Sequence, residues 1–419
     1  MIVNEVERLK QIASNMKQEQ LSRKEIIAKQ TSVSVSDDQV DGIDRLIYNH
    51  CLNKKTLREH TRFAPATFQK RVQEAIDAGV ITEPIYQNKQ HLFTRHDVLT
   101  LLDHWDFPTY RDNYTPRVIA IENQKGGTGK STTTALLSTA AALDLDTNAR
   151  VLLIDFDPQG TLGQGMISRS DDENSIYLTT IDLILGAVEN SGEYQDLIKS
   201  GFSESEIINS APFDTHLPNL DVMPAFATDE RFHDIFWQSD DETKDLLIER
   251  FAKDIIPVFQ EQYDLIIIDT PPQESPLIWA ANEALDCLLV PISPREYDYS
   301  STTNYLLTTA DRFEDLPSKG NNLIWSRVLV VNHDEKVKAE RDTVDKLCRT
   351  VQDRLLSSYV AHSELMVAAS EMNRTPLDVM KSEKLCSTKK YDDAISSINS
   401  VYKQIIREIK AVSSRVEEA

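Results

Sequence analysis

Residues 122–132, ENQKGGTGKST, crowd three glycines and two lysines into one short stretch. Glycines 126, 127 and 129 lack a Cβ, so backbone N–H groups there can close on phosphate oxygens. Lys130 would then reach the β- and γ-phosphates of a nucleotide, Ser131 would ligate Mg²⁺, and Thr132 would touch the α-phosphate. A standard phosphate loop has Gly, any four residues, then Gly-Lys-Ser/Thr. Counting back from Gly129 puts Gln124 where the first glycine should be, with Lys125 beside it. One loop needs a single lysine on its own phosphates. Phosphoryl transfer gains, however, from a second cation in the transition state, and that cation can come from another molecule. Lys125 is therefore expected to point outward, toward a nucleotide held by a facing copy. A homodimer with nucleotide at its interface follows.

Carboxylates support the same chemistry. In LLIDFD, residues 152–157, Asp155 and Asp157 lie two apart at a strand end and so share a face. Asp269 ends LIIID and has the form of a Walker B aspartate. Ligands of open α/β sheets bind beyond the carboxyl ends of the strands, where all three would meet the loop. Asp269 and Asp155 are expected in the Mg²⁺ shell, largely through water, beside Ser131. Asp157 is left to orient the attacking water.

Short, β-branched apolar runs at 117–123, 150–157, 219–225, 263–272, 286–293 and 324–332 read as strands buried on both faces. Amphipathic helices separate them. The fold class is α/β, a mostly parallel sheet flanked by helices, with the glycine loop joining the first strand to the helix STTTALLSTAAALDL. Ahead of it lies a small all-α unit with a wing. KKTLREHTRF predicts a short helix, and Pro65 opens a second with Phe68, Val72 and Ile76 as its buried stripe. VITEPIYQNKQHLFT predicts two strands around a polar turn. This is a winged helix-turn-helix pattern, whose second helix enters the DNA major groove. Lys54, Lys55, Arg58, Thr67, Gln69, Lys70 and Arg71 are the candidate DNA contacts.

Charge distribution agrees. The whole 419-residue chain carries −22, yet residues 1–117 hold 17 basic and 16 acidic side chains, against 28 and 51 in the rest. A basic patch thus sits inside an acidic protein. Ile2, Val6, Leu9, Ala13 and Met16 form an a/d seam suited either to a second chain or to this chain's own core. Residues 31–41 read as a linker. The expected domains are 1–36 (dimerisation helix and linker), 37–110 (winged helix-turn-helix) and 111–419 (ATPase). Nothing resembles a membrane span or a signal peptide, and the four cysteines match no metal spacing, so a cytoplasmic protein with reduced thiols is expected.

Together KGGTGKST, LLIDFDPQG and YDLIIIDTPP resemble the deviant Walker A ATPases of the ParA/MinD group, and DPQG favours the ParA branch. The N-terminal architecture resembles the long ParA proteins of large low-copy plasmids and of secondary chromosomes such as those of vibrios. The resemblance implies ATP/ADP and Mg²⁺ as cofactors, bound by Gly126, Gly127, Thr128, Gly129, Lys130, Ser131 and Thr132, with Asn332 against the adenine. It implies that Lys125 reaches the partner's nucleotide, that Lys130 and Asp157 complete the catalytic set, and that a ParB-type centromere-binding partner stimulates slow hydrolysis. It implies non-specific nucleoid DNA binding by the ATP dimer, with Lys336, Lys338, Arg341, Arg349, Arg354 and Arg374 as candidates. Repression of its own operon through the winged helix is a further implication. A MinD-like membrane ATPase is the main alternative, since residues 394–412 carry an apolar stripe, although packing on the sheet explains that stripe as well. A repressor with no motor role is another. An iron-protein-type reductase would need paired cysteines, and Cys287 lies inside an apolar strand.

Overall fold

The computed structural model describes residues 5–30, 32–33, 43–159, 162–167 and 177–415. It divides into two units, Met1–Phe107 and Pro108–Ala419. In the first, α1 (Glu5–Gln30) leaves Val6, Leu9, Ile12 and Met16 more than half exposed. Ile2 of the expected seam lies outside the described residues. Within the expected linker, Ser32–Val33 (β1) instead pairs antiparallel with Ile43–Asp44 (β2); residues 31 and 34–41 lie outside the described residues.

The next elements start from side-chain caps. Asp44 accepts from the Leu46 N–H and begins α2 (Arg45–Asn49). After β3 (Leu52–Asn53), Asn53 accepts from the Thr56 N–H and begins α3 (Lys54–Thr61). Arg62, at φ 57°, stops α3, and Pro65 starts α4 (Pro65–Asp77). Phe68, Val72 and Ala75 form the buried face of α4, while Ile76 is only half buried, because the stripe follows a four-then-three spacing. Strands β4 (Ile85–Gln87) and β5 (Gln90–Phe93) make a hairpin whose two turn residues, Asn88 and Lys89, both have positive φ. Sequence predicts only these two strands. The third, β3, pairs with β5 to complete a β3-β5-β4 sheet. A Thr94–Asp97 capping box begins α5 (Arg95–His104).

The second unit is built on seven strands: β6 (Arg117–Ile121), β7 (Val151–Asp155), β8 (Phe213–Asp214), β9 (Leu220–Met223), β10 (Leu265–Asp269), β11 (Cys287–Ile292) and β12 (Trp325–Val330). Their order is β12-β11-β6-β10-β7-β9-β8, parallel throughout except for the antiparallel β8–β9 pair. Alternate residues feed two cores. Val118, Leu152, Ile154, Ile266 and Ile268 face one, and Ile119, Val151, Leu153, Leu265 and Ile267 face the other. Burial on both faces is why these segments read as continuous apolar runs.

Five helices of this unit bear on the site: α6 (Lys130–Leu143), α7 (Pro276–Ala284), α8 (Glu296–Asp315), α9 (Lys338–Val351) and α10 (Thr388–Ser413). Leu136, Leu137 and Ala140 of α6 and Ile398, Val401, Ile405 and Ile409 of α10 cover one face of the sheet. The apolar stripe of α10 is therefore spent on the core. Among the described residues, no helix is long and apolar enough to cross a membrane. Ile405→Ala should cost about 2–5 kcal/mol in urea unfolding, the range for truncating a fully buried isoleucine. An unchanged midpoint would mean that α10 does not depend on the sheet.

Candidate functional site

The glycine loop leaves β6 at Ile121 and becomes α6 at Lys130. Gly127 and Gly129 have φ of 78° and 81°, a region that side-chain-bearing residues rarely enter. A Cβ on Gly129 would also come to 3.1 Å from Val331 Cγ2, so the loop rests on the residue preceding Asn332. Thr128 and Lys130 are buried. The Thr128 hydroxyl and the Lys130 ammonium donate to the Lys125 carbonyl at 3.1 and 3.4 Å. Burial pushes the Lys130 ammonium below its ordinary pKa, opposed by Asp269, Asp157 and Glu122.

Parallel register sets Asp269 of β10 directly beside Asp155 of β7. Asp155 is buried and uses both oxygens on backbone: Oδ1 accepts from the Asp157 N–H at 3.0 Å, and Oδ2 from the Gly163 N–H at 2.9 Å. It therefore shapes the turn that carries Asp157. Asp269 Oδ1 accepts from the Thr134 hydroxyl at 3.1 Å, Ser131 lies against the same carboxylate, and Oδ2 is buried with no hydrogen-bond partner. Burial raises the pKa of both acids, and Asp269 raises Asp155 further. A hard divalent cation is held by oxygen ligands. An unsatisfied buried carboxylate oxygen next to a serine hydroxyl suits Mg²⁺: Asp269 and Ser131 would hold it, while Asp155, expected beside them, has both oxygens engaged by backbone N–H groups. Asp157 is half buried. Its Oδ1 accepts from the Gln159 N–H at 3.0 Å, and its charge acts on Lys130 and Asp269.

The loop mouth is lined by α8. Asp298, Thr302, Tyr305, Thr309 and Arg312 recur at spacings of four and three and are all buried. Three of them, Asp298, Thr302 and Arg312, meet the first residues of the loop. Arg312 donates to Glu122, which is fully buried, at 2.8 Å, and Asn282 donates to it at 2.6 Å. Burial still raises the Glu122 pKa, against the lowering by Arg312. Asn123 donates to Thr302 Oγ1 at 3.1 Å and to the Pro291 carbonyl at 2.9 Å. Lys125 donates to Asp298, contrary to the expectation that it points away from its own chain. Arg312 also grips both oxygens of Glu274 at 2.9 Å, and Gln124 donates to that same carboxylate. Sequence inspection misses this set, because a buried stripe made of polar residues lacks the apolar periodicity that marks a packed helix.

Asn332 follows β12 with φ 55°, is exposed, and its Oδ1 lies 2.7 Å from His362 Nδ1. In the first unit, Lys54 and Lys55 on α3 and Thr67, Gln69, Lys70 and Arg71 on α4 are exposed, and Arg58 is half buried. Lys55–Glu59 and Lys70–Glu74 are exposed i,i+4 pairs at 3.9 and 3.5 Å, too weak to withhold either lysine from a phosphate. The Arg71 guanidinium lies 4.5 Å from the Phe63 ring centroid. Lys336, Lys338, Arg341, Arg349 and Arg354 are exposed, whereas the Arg374 side chain is buried against Glu383 at 3.1 Å. Arg374 is thereby removed from the candidate DNA contacts: its charge is spent inside the fold.

A family model described as an AAA domain matches residues 116–322. The chain is 30% identical over 245 residues to the sporulation initiation inhibitor protein Soj of Bacillus subtilis, spanning 58% of this chain and 83% of that one. It is 32% identical over 193 residues to the chromosome partitioning protein ParA of Caulobacter vibrioides, spanning 46% and 61%. A solved structure titled Partition Protein superposes with a TM-score of 0.63 at 19% identity, covering 94% of this chain and 98% of that one. That last likeness speaks for the fold.

Arg312→Met should destabilise the protein by about 3–5 kcal/mol at neutral pH, because it strands the buried Glu122 carboxylate. An acid whose folded pKa is raised binds a proton more tightly in the native state. The stability of the variant should therefore fall as pH rises above the ordinary carboxylate range. Denaturant melts at pH 5 and pH 8 check the sign.

Proposed function

The chain belongs to the ParA/Soj family of partition ATPases, and from that footing we propose that it binds ATP with Mg²⁺, pairs with a second copy across the two nucleotides, and holds DNA in that form. The observation that carries this reading is a glycine loop with two lysines of different standing. Lys130 is buried and feels the charges of Asp269, Asp157 and Glu122, and Lys125 stands at the mouth with one third of its side chain exposed. The buried lysine suits the chain's own β- and γ-phosphates, and the mouth lysine suits those of a facing copy. The loop N–H groups and the N-terminus of α6 supply a positive field for the polyphosphate. Mg²⁺, held by Asp269 and Ser131, would neutralise phosphate charge. Asp157 would orient the hydrolytic water, with Asp155 fixing the turn beneath it. Asn332 would meet the base.

Hydrolysis would release DNA, and a ParB-type centromere-binding protein would stimulate it. Two further features support roles beyond the ATPase unit. The exposed apolar seam of α1 suits pairing with a second chain. The exposed cations and glutamine of α3 and α4, next to the β4–β5 hairpin, suit an operator, so repression of the chain's own operon is the second DNA activity proposed. Lys336, Lys338, Arg341, Arg349 and Arg354 suit non-specific contacts.

The test is DNA retention with ATP, ADP or no nucleotide, on random DNA and on the gene's own promoter. ATP should raise retention on random DNA, and that retention should fall steeply with salt through counterion release. Retention indifferent to nucleotide and salt would refute the reading. Asp157→Ala should bind ATP and pair normally, with turnover down by about 100-fold, the low end for losing a group that handles the attacking water. Single-turnover hydrolysis measures this, and unchanged turnover would strip Asp157 of its role.

A further inference from the structure

We propose that Asp298 is the resting counter-ion of Lys125, and that surrendering the lysine from this carboxylate sets the threshold for pairing of two copies. The inference rests on the reading of Lys125 as the lysine given to the neighbouring copy.

The contact is a direct ion pair between Lys125 Nζ and Asp298 Oδ1, with the lysine side chain 34% exposed and the aspartate 8%. Both partners are held in place. Asp298 sits in the first turn of α8, where backbone N–H groups favour negative charge. That turn is clamped to α9: Lys346 donates to Glu296 at 2.9 Å and lies 3.9 Å from the Tyr299 ring centroid, and the Tyr299 hydroxyl donates to Thr350 at 3.3 Å. On the loop side, Asn123 Oδ1 accepts from the Lys125 N–H at 3.3 Å while the Asn123 amide is tied to Thr302. Only the torsions of the lysine side chain remain to move its ammonium.

A single ammonium cannot neutralise a buried carboxylate in its own chain and a phosphate in another. Without a triphosphate opposite, leaving Asp298 strips a buried charge of its partner, which is strongly unfavourable. With a triphosphate opposite, a group of greater negative charge offsets that loss. The pair therefore biases the empty chain toward the single state, and makes the threshold depend on what the facing cleft holds. Nothing nearby in sequence announces this: 173 residues separate the two groups.

Asp298→Asn keeps the side-chain shape and removes the charge. In sedimentation velocity of the full chain with ATP and Mg²⁺, its pairing midpoint should fall to about one tenth of the parent's concentration, the factor that corresponds to about 1.4 kcal/mol. An unchanged or higher midpoint, in a variant whose thermal melt overlays the parent's, would overturn the proposal. A second measurement does not depend on association. Acylation of lysines in the nucleotide-free protein, read by peptide mass mapping, should be several-fold faster at Lys125 in Asp298→Asn than in the parent. Equal rates would overturn the latch. Lys125→Ala separates the two levels. If it pairs with ATP as well as the parent does, the trans role of Lys125 fails. If it stays single while Asp298→Asn pairs like the parent, the latch fails and the trans role stands.

Discussion

A buried lysine that feels the charge of carboxylates at the end of an apolar sheet is the constraint that the rest of the ATPase unit answers to. Lys130, Asp155, Asp157 and Asp269 gather where β6, β7 and β10 stop, and every strand leading there is buried on both faces. Charge in such a place is tolerated only when paired or hydrogen-bonded. The surroundings meet that demand in different ways. Asp155 is satisfied by backbone N–H groups and Glu122 by a guanidinium from α8, whereas Asp269 takes the Thr134 hydroxyl on one oxygen and keeps the other unpartnered. Each solution ties one segment of the cleft to another. The electrostatics of the cleft and its mechanical connections are thus the same contacts.

Helix α8 carries the largest share of those connections. Its buried stripe meets Glu122, Asn123 and Lys125 in turn, so the helix runs along the loop entrance as a template. Arg312 adds the segment after β10 by holding Glu274. Away from that stripe, α8 leaves Leu307 and Tyr297 strongly exposed. A displacement of the loop on nucleotide binding would therefore be felt along a helix whose outer side faces solvent.

Much of this architecture is legible in the residues themselves. The six apolar runs all contain strands of the sheet, and the loop lies between strand and helix as its glycines and Gly-Lys-Ser ending require. What escapes is either short or distant. Strand β3 has two residues and is strand-like only because β5 lies beside it, and β8 likewise depends on β9. Asp155 looks identical to Asp157 in LLIDFD; only the position of the Gly163 N–H shows that its oxygens serve the backbone. Arg374 looks like any surface cation until Glu383 is seen against it. Lys125 is the sharpest case: its residue type and position at the loop mouth argue for an outward side chain, and a carboxylate far along the chain turns it inward. Local periodicity and loop chemistry are written in short windows; charge pairing across the fold is not.

Both margins of the large sheet are closed. On one side β8 is a two-residue antiparallel strand, too short to template another chain. On the other, β12 is met by bridges from Leu355 to Val328 and from Ala361 to His333. Among the described residues, the large sheet thus offers no long free ladder of backbone donors and acceptors at either border. Copies are thereby denied the route of extending this large sheet into one continuous β-structure, as aggregating proteins do. An array built through this unit would be assembled from side-chain faces, whose adhesion can be undone by a change in charge.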